Sequence, residues 1–324
     1  VSARRRTRHF AGTPAVALVT CGAARQADGD MPPLVAAFAA AGAAAEIAVW
    51  DDAQVDWSRF DLTLLRSAWD YSERLPQFLA WVERAAAQTL LLNAPAVVRW
   101  SSDKHYLRDL AAGGVPVVPT TFLEPAADPA VVLAEFLAHQ PCVEVVVKPA
   151  VGAGSRDARR HARDDIDEIL AHLRPLLAAE RGMMLQPYLD RVDRDGETAL
   201  IFIDGNFTHA IRKGALLPAG APSTTALSAP EEIISRIPTA DETAVAERAV
   251  AQVPFAELLY ARVDLVRDAT GQPRVLELEL AEPSLYFTYA PAAAARFVSA
   301  ALQRLRRGPR QPDSRGAGEG ASRA

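Results

Sequence analysis

"VVVKPAVGAGS", residues 145–155, is the stretch on which the reading of the fold turns. A β-branched run has the composition of a buried strand. This one ends in Lys148 and Pro149 and passes into a loop carrying Gly152, Gly154 and Ser155. Backbone amides in a glycine-bearing loop can converge on a phosphate because no side chain blocks the approach. Lys148 would add a cation there and Ser155 a hydroxyl. The same glycines would also serve a tight strand-to-loop turn, and the Walker order GxxxxGK[ST] is absent, so the loop alone leaves both readings open. Lysine usage tips the balance. Of 35 basic residues only Lys104, Lys148 and Lys213 are lysines. In a chain that otherwise uses arginine, a retained lysine marks a place for a compact ammonium, the point charge that suits a phosphate in a tight space. Chance survival on a solvated surface accounts for one such lysine more readily than for three, each inside a motif.

Bulk properties narrow the class. With 324 residues, half of them hydrophobic and 23% charged, the chain can bury two or three subdomain cores. A net charge of −5 argues against a nucleic-acid partner. Cys21 and Cys142 lack the spacing of a disulfide framework or a zinc site and read as small buried hydrophobes. The opening "VSARRRTRHF" followed by an apolar run copies a signal peptide superficially, but Gly12 and Pro14 fit a disordered basic arm (1–14) before a first strand. The alanine-rich run 34–45 is too short to span a bilayer. These features predict a cytoplasmic protein with no membrane partner.

Strand and helix alternate over residues 15–98: strands at 15–20, 46–50, 61–67 and 89–93, with helices at 32–44 and 75–87. That order predicts a doubly wound parallel α/β unit. After Trp100 the pattern changes to a capped helix over 101–114, a helix at 127–139, strand 143–148, helix 164–179 and strand 183–189. A hairpin over 198–213 turns at Gly205-Asn206. A polar loop spans 214–230, a helix lies near 240–251, and two strands (260–268, 274–280) precede a helix at 291–306 that ends at Gly308. Residues 309–324 have a disordered composition.

The late strands carry acid. Glu277 and Glu279 in "VLELEL" face one side of a strand, near Asp264 on the neighbouring one. Three carboxylates so placed repel unless a cation lies between them, and hard oxygen ligands beside a phosphate loop describe a Mg²⁺ site. A solvated acidic face on an edge strand is the alternative that alternation alone allows.

In order, spacing and residue type these motifs resemble the ATP-grasp superfamily of carboxylate-activating ligases, over about residues 95–305. The resemblance implies an α/β protein, α+β in its ATP-binding part: an ATP-grasp domain at 99–308 with a small clamping subdomain at about 115–190, behind a substrate-side domain at 15–98. It implies ATP as co-substrate and Mg²⁺, with Mn²⁺ as a substitute. Lys104 and Lys148 match the two nucleotide lysines, and Gly152, Gly154 and Ser155 the flexible loop. Gln186, Tyr188 and Leu189 match the adenine hinge, and Glu197 the ribose contact. Asp264, Glu277 and Glu279 match the metal ligands. Arg212 and Lys213 match the basic group beside the γ-phosphate and, with Lys148, would be catalytic. Loops 149–156 and 214–230 are the candidates for a lid that excludes water. The chain departs from the family pattern in having Glu279 where asparagine is usual, Ala199 where an arginine is common, and "AEPSLYF" in place of a small-residue turn.

At the substrate end, Arg66, Ser67 and Asp70 follow the third strand, where open α/β sheets bind ligands. Arg66 could clamp a substrate carboxylate or form a surface ion pair with Asp70. Trp69 and Tyr71 read as wall or core. Glu282 and Ser284 could hold a substrate amine or carboxylate. Within the superfamily, "LRSAWDYSERLPQF" together with "LELELAEPSLYF" is most similar to the O-ureido-D-serine cyclo-ligases of D-cycloserine biosynthesis. That resemblance implies a small amino-acid substrate, an acyl phosphate, and intramolecular attack by nitrogen. The alternatives are a ligase joining two separate amino acids or peptides and, in another class, a nucleotide-binding sensor without turnover. A homo-oligomer is compatible with either.

Overall fold

A computed structural model describes residues 12–215, 217, 220 and 232–308. The basic arm, most of the loop 214–230 and the tail 309–324 lie outside the described residues, apart from Gly12–Pro14 and the few positions named. Three sheets organise the chain. The first is β2-β1-β3-β4, all parallel, built from β1 (Ala15–Thr20), α1 (Met31–Ala40), β2 (Ala44–Val49), β3 (Leu62–Ser67), α2 (Leu75–Ala86) and β4 (Leu90–Leu92). Strands buried on both faces read as continuous apolar runs, and Val16–Val19 and Leu62–Leu65 are fully buried. Met31, Leu34 and Phe38 of α1 pack on one face, and Phe78, Trp81 and Val82 of α2 on the other.

The helix expected over 101–114 is confined to α4 (Tyr106–Ala112), and an unexpected helix, α3 (Pro95–Ser101), ends where it was to begin. Lys104 lies in the break, its own N–H donating to Ala150 O at 2.9 Å. A continuous helix would send that N–H to the preceding turn, so docking on the glycine loop competes with helix propagation. The second sheet, β5-β8-β6-β7, comprises β5 (Thr121–Leu123), α5 (Pro129–His139), β6 (Glu144–Pro149), β7 (Arg159–Ala162), α6 (Ile166–Ala178) and β8 (Met183–Pro187). Strand β7, in "RRHA", was invisible to apolar patterning because its positions are polar. Val145 and Val147 of β6 pack under α5 and α6, leaving Val146 and Lys148 on the opposite face.

The third sheet, β11-β10-β9-β12-β13, follows α7 (Arg191–Asp195) and comprises β9 (Glu197–Ile203), β10 (Asn206–Lys213), β11 (Ile233–Arg236), α8 (Ala240–Ala251), β12 (Tyr260–Arg267) and β13 (Pro273–Glu279). The β9–β10 turn is Asp204-Gly205, both at positive φ, one residue earlier than expected and suited to a tight hairpin. The final helix, α9 (Pro291–Arg307), packs Phe297 and Val298 between this sheet and α1. Among the described residues no helix is long and apolar enough to cross a membrane.

The second sheet carries an acid-sensitive pair. His161 on β7 and His172 on α6 lie 3.1 Å apart, ring nitrogen to ring nitrogen. Burial, with His172 and then Arg159 adding, lowers the His161 pKa to about 4, and burial lowers His172 as well. The unfolded chain takes up these protons near pH 6.5 and the native state does not. Stability is therefore held above that pH and lost as pH falls towards 4. Between pH 6.5 and 5 the loss is expected to be about 1–2 kcal/mol. Urea titrations of wild type and His161→Phe across that window check it; identical pH slopes would refute it.

Candidate active site

The three sheets meet around one cleft of about 540 Å³, large enough for a nucleotide and a small second ligand. Five cations line it: Lys104, Lys148, Arg156, Lys213 and Arg262. Lys104 Nζ donates to Gly152 O at 2.7 Å and lies 3.1 Å from Glu277 Oε1, joining the glycine loop to β13. Lys148 stands at the end of β6; burial lowers its pKa to about 8, with Glu277 opposing and Lys104 adding. The loop beyond is tightly turned, with Gly154, Ser155 and Asp157 all at positive φ near 60°.

Lys213 is buried between two carboxylates, 2.9 Å from Glu197 and 2.7 Å from Asp264. Glu197 is its direct cross-strand partner on β9, whereas Asp264 is a strand further away on β12. Between Lys213 and Asp264 the sheet presents Ala199, opposite Asp264. The methyl group at this departure from the family pattern leaves the lysine room to cross. Burial acts to lower the Lys213 pKa, but Asp264 and Glu197 outweigh it and raise it well above the usual lysine range.

Arg262 and Asp264 share a face of β12, opposite Glu279 and Glu277 on β13 respectively. The Arg262 guanidinium donates to both Asp264 oxygens at 2.9 Å, to Glu279, and to Ser284 O at 3.2 Å. Burial would raise Asp264, but Arg262 and Lys213 hold it at about 2. Glu277 is lowered in the same way, burial being outweighed by Lys104 and Lys148. Glu279 goes the other way: burial pushes it up to about 8, opposed by Arg262 and reinforced by Glu277 and Asp264.

Among the described residues no three His, Cys, Asp or Glu side chains are gathered as a ready metal cage, because the carboxylate oxygens face Arg262, Lys213 and Lys104. The donor chemistry nevertheless fits a hard divalent ion. Beyond burial, Glu279 is raised by the neighbouring carboxylates Glu277 and Asp264, a repulsion that a cation would relieve.

The other end of the cleft is apolar, walled by Val118, Val146, Val192, Val266 and Leu276. Gln186, Tyr188 and Leu189 border this slot. Gln186 is buried, donating from Nε2 to Thr120 Oγ1 at 2.8 Å, and the Tyr188 ring carries the Arg160 guanidinium 3.6 Å above it. An apolar slot of this kind suits a flat aromatic ring. Gly152, Gly154, Ser155 and Glu197 line the cleft as well, Gly152 and Glu197 in contact with Lys104 and Lys213 respectively.

Five expected site residues do not line the cleft: Asp264 sits behind it, its oxygens taken up by Arg262 and Lys213, and four lie elsewhere. Arg212 alternates with Lys213 along β10, so only one of the two can face the cleft; Arg212 instead donates to Asp195 O (2.7 Å) and Arg194 O (3.1 Å) at the end of α7. Arg66 is fully buried, donates to Pro283 O at 2.5 Å and lies 3.7 Å from Asp30. It is neither a carboxylate clamp in the cleft nor a surface partner of Asp70. Ser67 is buried, 2.8 Å from Thr20 Oγ1. Asp70 accepts from Trp50 Nε1 at 2.8 Å and pairs with Arg74.

Glu282 and Ser284 do line the cleft. Burial raises Glu282 to about 7, with a hydrogen bond from Tyr71 and the charge of Lys104 opposing. Asp28, Asp30, Arg156, Arg262 and Tyr286 also line it and were missed, whereas Trp69, read as wall or core, stands in its wall. Arg262 had a signal, the i, i+2 spacing to Asp264 that puts both on one strand face.

Residues 16–93 match the family model described as D-cycloserine synthetase DcsG, N-terminal domain. The chain is 43% identical over 301 residues, 90% of this chain and 99% of the relative, to the cycloserine biosynthesis protein DcsG of Streptomyces lavendulae. Its fold superposes on the crystal structure of D-cycloserine synthetase DcsG with a TM-score of 0.85 and 42% identity, covering 90% of this chain and 99% of the other. The D-alanine–D-alanine ligase of Bacillus anthracis complexed with ATP shares the fold at a TM-score of 0.66 and 16% identity, over 91% and 97% of the two chains.

Proposed function

The chain belongs to the DcsG family of ATP-grasp ligases, and on that premise we propose that it closes O-ureido-D-serine to D-cycloserine with Mg·ATP as co-substrate. The observation that carries the reading is the meeting of Lys104, Lys148, Lys213 and Arg262 with Glu277 and Glu279 at one end of the cleft, beyond an apolar slot for a base. Phosphoryl transfer to a carboxylate asks for positioning and charge neutralisation more than for a base, and this site supplies both.

In the proposed sequence the substrate carboxylate takes the γ-phosphoryl group and ADP leaves. The nitrogen attached to oxygen then attacks the acyl carbon, phosphate leaves, and the ring closes. Water removes the carbamoyl group as carbamic acid, which falls to carbon dioxide and ammonia. Lys148 and Lys104 are assigned to the phosphates, and Lys213 and Arg262 to the charge that develops on the acyl oxygen. Asp264, Glu277 and Glu279 would hold Mg²⁺, or Mn²⁺ in its place, which supplies Lewis-acid neutralisation of the triphosphate. Gln186, Tyr188, Leu189 and Glu197 are assigned to adenine and ribose. In this reading residues 15–98 form a substrate-side unit, and 115–190 a clamp within the ATP-binding part, 99–308.

The test is ADP release from Mg·ATP with O-ureido-D-serine alone, beside a panel of free D- and L-amino acids singly and in pairs. ADP and D-cycloserine in equal amounts are expected with the ureido compound. ADP only with an amino-acid pair would replace ring closure by ligation of two molecules.

A further inference from the structure

The segment 280–287, where the family carries a small-residue turn, is anchored at almost every residue by side chains from elsewhere. Asn93 Nδ2 donates to Leu280 O at 2.7 Å, Tyr260 Oη to Ala281 O at 2.8 Å, and Trp69 Nε1 to Glu282 O at 3.1 Å. Arg66 Nη2 donates to Pro283 O at 2.5 Å and Arg262 Nη1 to Ser284 O at 3.2 Å, while His209 Nε2 lies 2.7 Å from Leu285 O. The Asp30 carboxylate then accepts three consecutive backbone N–H groups, from Leu285 (2.5 Å), Tyr286 (3.1 Å) and Phe287 (2.8 Å).

Buried carbonyls need partners, but water or neighbouring backbone can serve. Here Asp30, Arg66, Trp69 and Asn93 come from the parallel-sheet unit, and His209, Tyr260 and Arg262 from the five-stranded sheet. Tyr286 is held at φ 55°, ψ 43°, a left-handed conformation that costs a non-glycine residue about 1–2 kcal/mol. That conformation turns successive N–H groups to one side as a nest for an anion, and Asp30 is the anion.

The segment also has a two-residue period. Ala281, Leu285 and Phe287 go into the hydrophobic cores and Glu282 and Ser284 line the cleft, while Tyr286 lines the cleft and also packs at the edge of a core. Arg262 belongs to both systems. It contacts Asp264, Glu279 and the Ser284 carbonyl, and the Tyr286 ring centroid is 5.6 Å from its guanidinium carbon.

We infer that 280–287 is a rigid strap that holds the small substrate against the transferred phosphoryl group, and that Asp30 and Arg66 are positioning residues acting through it. The inference rests on the carboxylate-activating reading above. Its consequence is chemical. An acyl phosphate whose internal nucleophile is misplaced loses phosphate to water and returns the starting acid, so a loosened strap separates ADP release from product formation.

The test is the ratio of ADP to product for Asp30→Asn. The isosteric amide keeps one acceptor oxygen and gives up the charge that the nest receives. The ratio is measured with whichever panel compound the wild-type enzyme turns over, so failure of the substrate assignment shows in the wild type and failure of the positioning role shows in the variant. The ratio is expected to rise threefold or more and the KM for the amino-acid substrate about tenfold, with the KM for ATP within twofold of wild type. Arg66→Lys, a milder change, should move the ratio in the same direction and serves if Asp30→Asn folds poorly. Phe38→Leu, in the core of α1 below the strap, lowers the thermal midpoint and should leave the ratio at one. A ratio of one in both Asp30→Asn and Arg66→Lys, or an equal rise in Phe38→Leu, would overturn the inference.

Discussion

Lys148→Met is expected to lower ADP release by on the order of 10²–10³-fold, the usual effect of removing one preorganised charge from a transition-state site. The side chain leaves β6 on the cleft face beside Val146, and burial together with Lys104 and Lys213 makes its charge expensive before any phosphate arrives. A bound triphosphate reverses that balance. Two further results follow from a pKa of about 8. In the free enzyme the ammonium is lost as pH rises through 8, so kcat/KM for ATP should fall above that pH in wild type but not in the residual activity of the variant. For stability, the native pKa lies below the unfolded value of 10.5, so the native state holds this proton less well than the unfolded chain. The penalty is fully present below pH 8 and disappears between 8 and 10.5. Lys148→Met should therefore unfold, without ATP at pH 7, at a midpoint no lower than wild type. Initial rates and thermal scans check both; normal turnover would remove Lys148 from the site.

Arg262→Met is expected to damage both stability and turnover. It leaves Asp264 and Glu279 facing each other without the guanidinium that joins them. Breaking a buried pair from one side costs about 3–5 kcal/mol, and ADP release should fall at least 10²-fold. The pH dependence identifies the cause. A buried carboxyl with a raised native pKa, as burial already gives Glu279 at about 8, loses stability as pH climbs from its unfolded value to its native one. The deficit of the variant should therefore be larger at pH 8 than at pH 5.5. Arg262→Lys keeps the charge but cannot span Asp264, Glu279 and the Ser284 carbonyl together, so it should fall between the two. Urea titrations at the two pH values decide the matter; an equal deficit at both would mean lost packing rather than stranded charge.

How much was legible in the sequence follows from the kind of signal each residue left. The three lysines stood out against an arginine background, and strand alternation put Glu277 and Glu279 on one face, so the charged end of the cleft could be read from local pattern. Arg212 and Lys213 could not be separated, because the choice depends on which face of β10 meets the cleft and both positions suit a strand. Arg262 was one arginine among 32. Arg66 was placed near the right region, but its partner Asp30 lies 36 positions earlier and Pro283 more than two hundred later, distances over which spacing carries no information. The break at Lys104 was also hidden, since "SSDKHYLRDLAA" has good local helix chemistry and only the docked glycine loop interrupts it. Local order was readable; what two remote segments do to each other was not.

The anchoring of 280–287 also fixes how two of the sheets are joined. The parallel sheet and the five-stranded sheet are fastened together through that segment, residue by residue. The segment before β5 meets β13 at a parallel bridge, Val117 to Val275, where Val118 N–H donates to Val275 O and Val275 N–H to Pro116 O, and the β5–β8 sheet packs on the five-stranded sheet through Phe122, Ala150 and Met184. The face that carries Glu282 and Ser284 is thus fixed by directional hydrogen bonds from both neighbouring sheets, each of which must shift for that face to change shape.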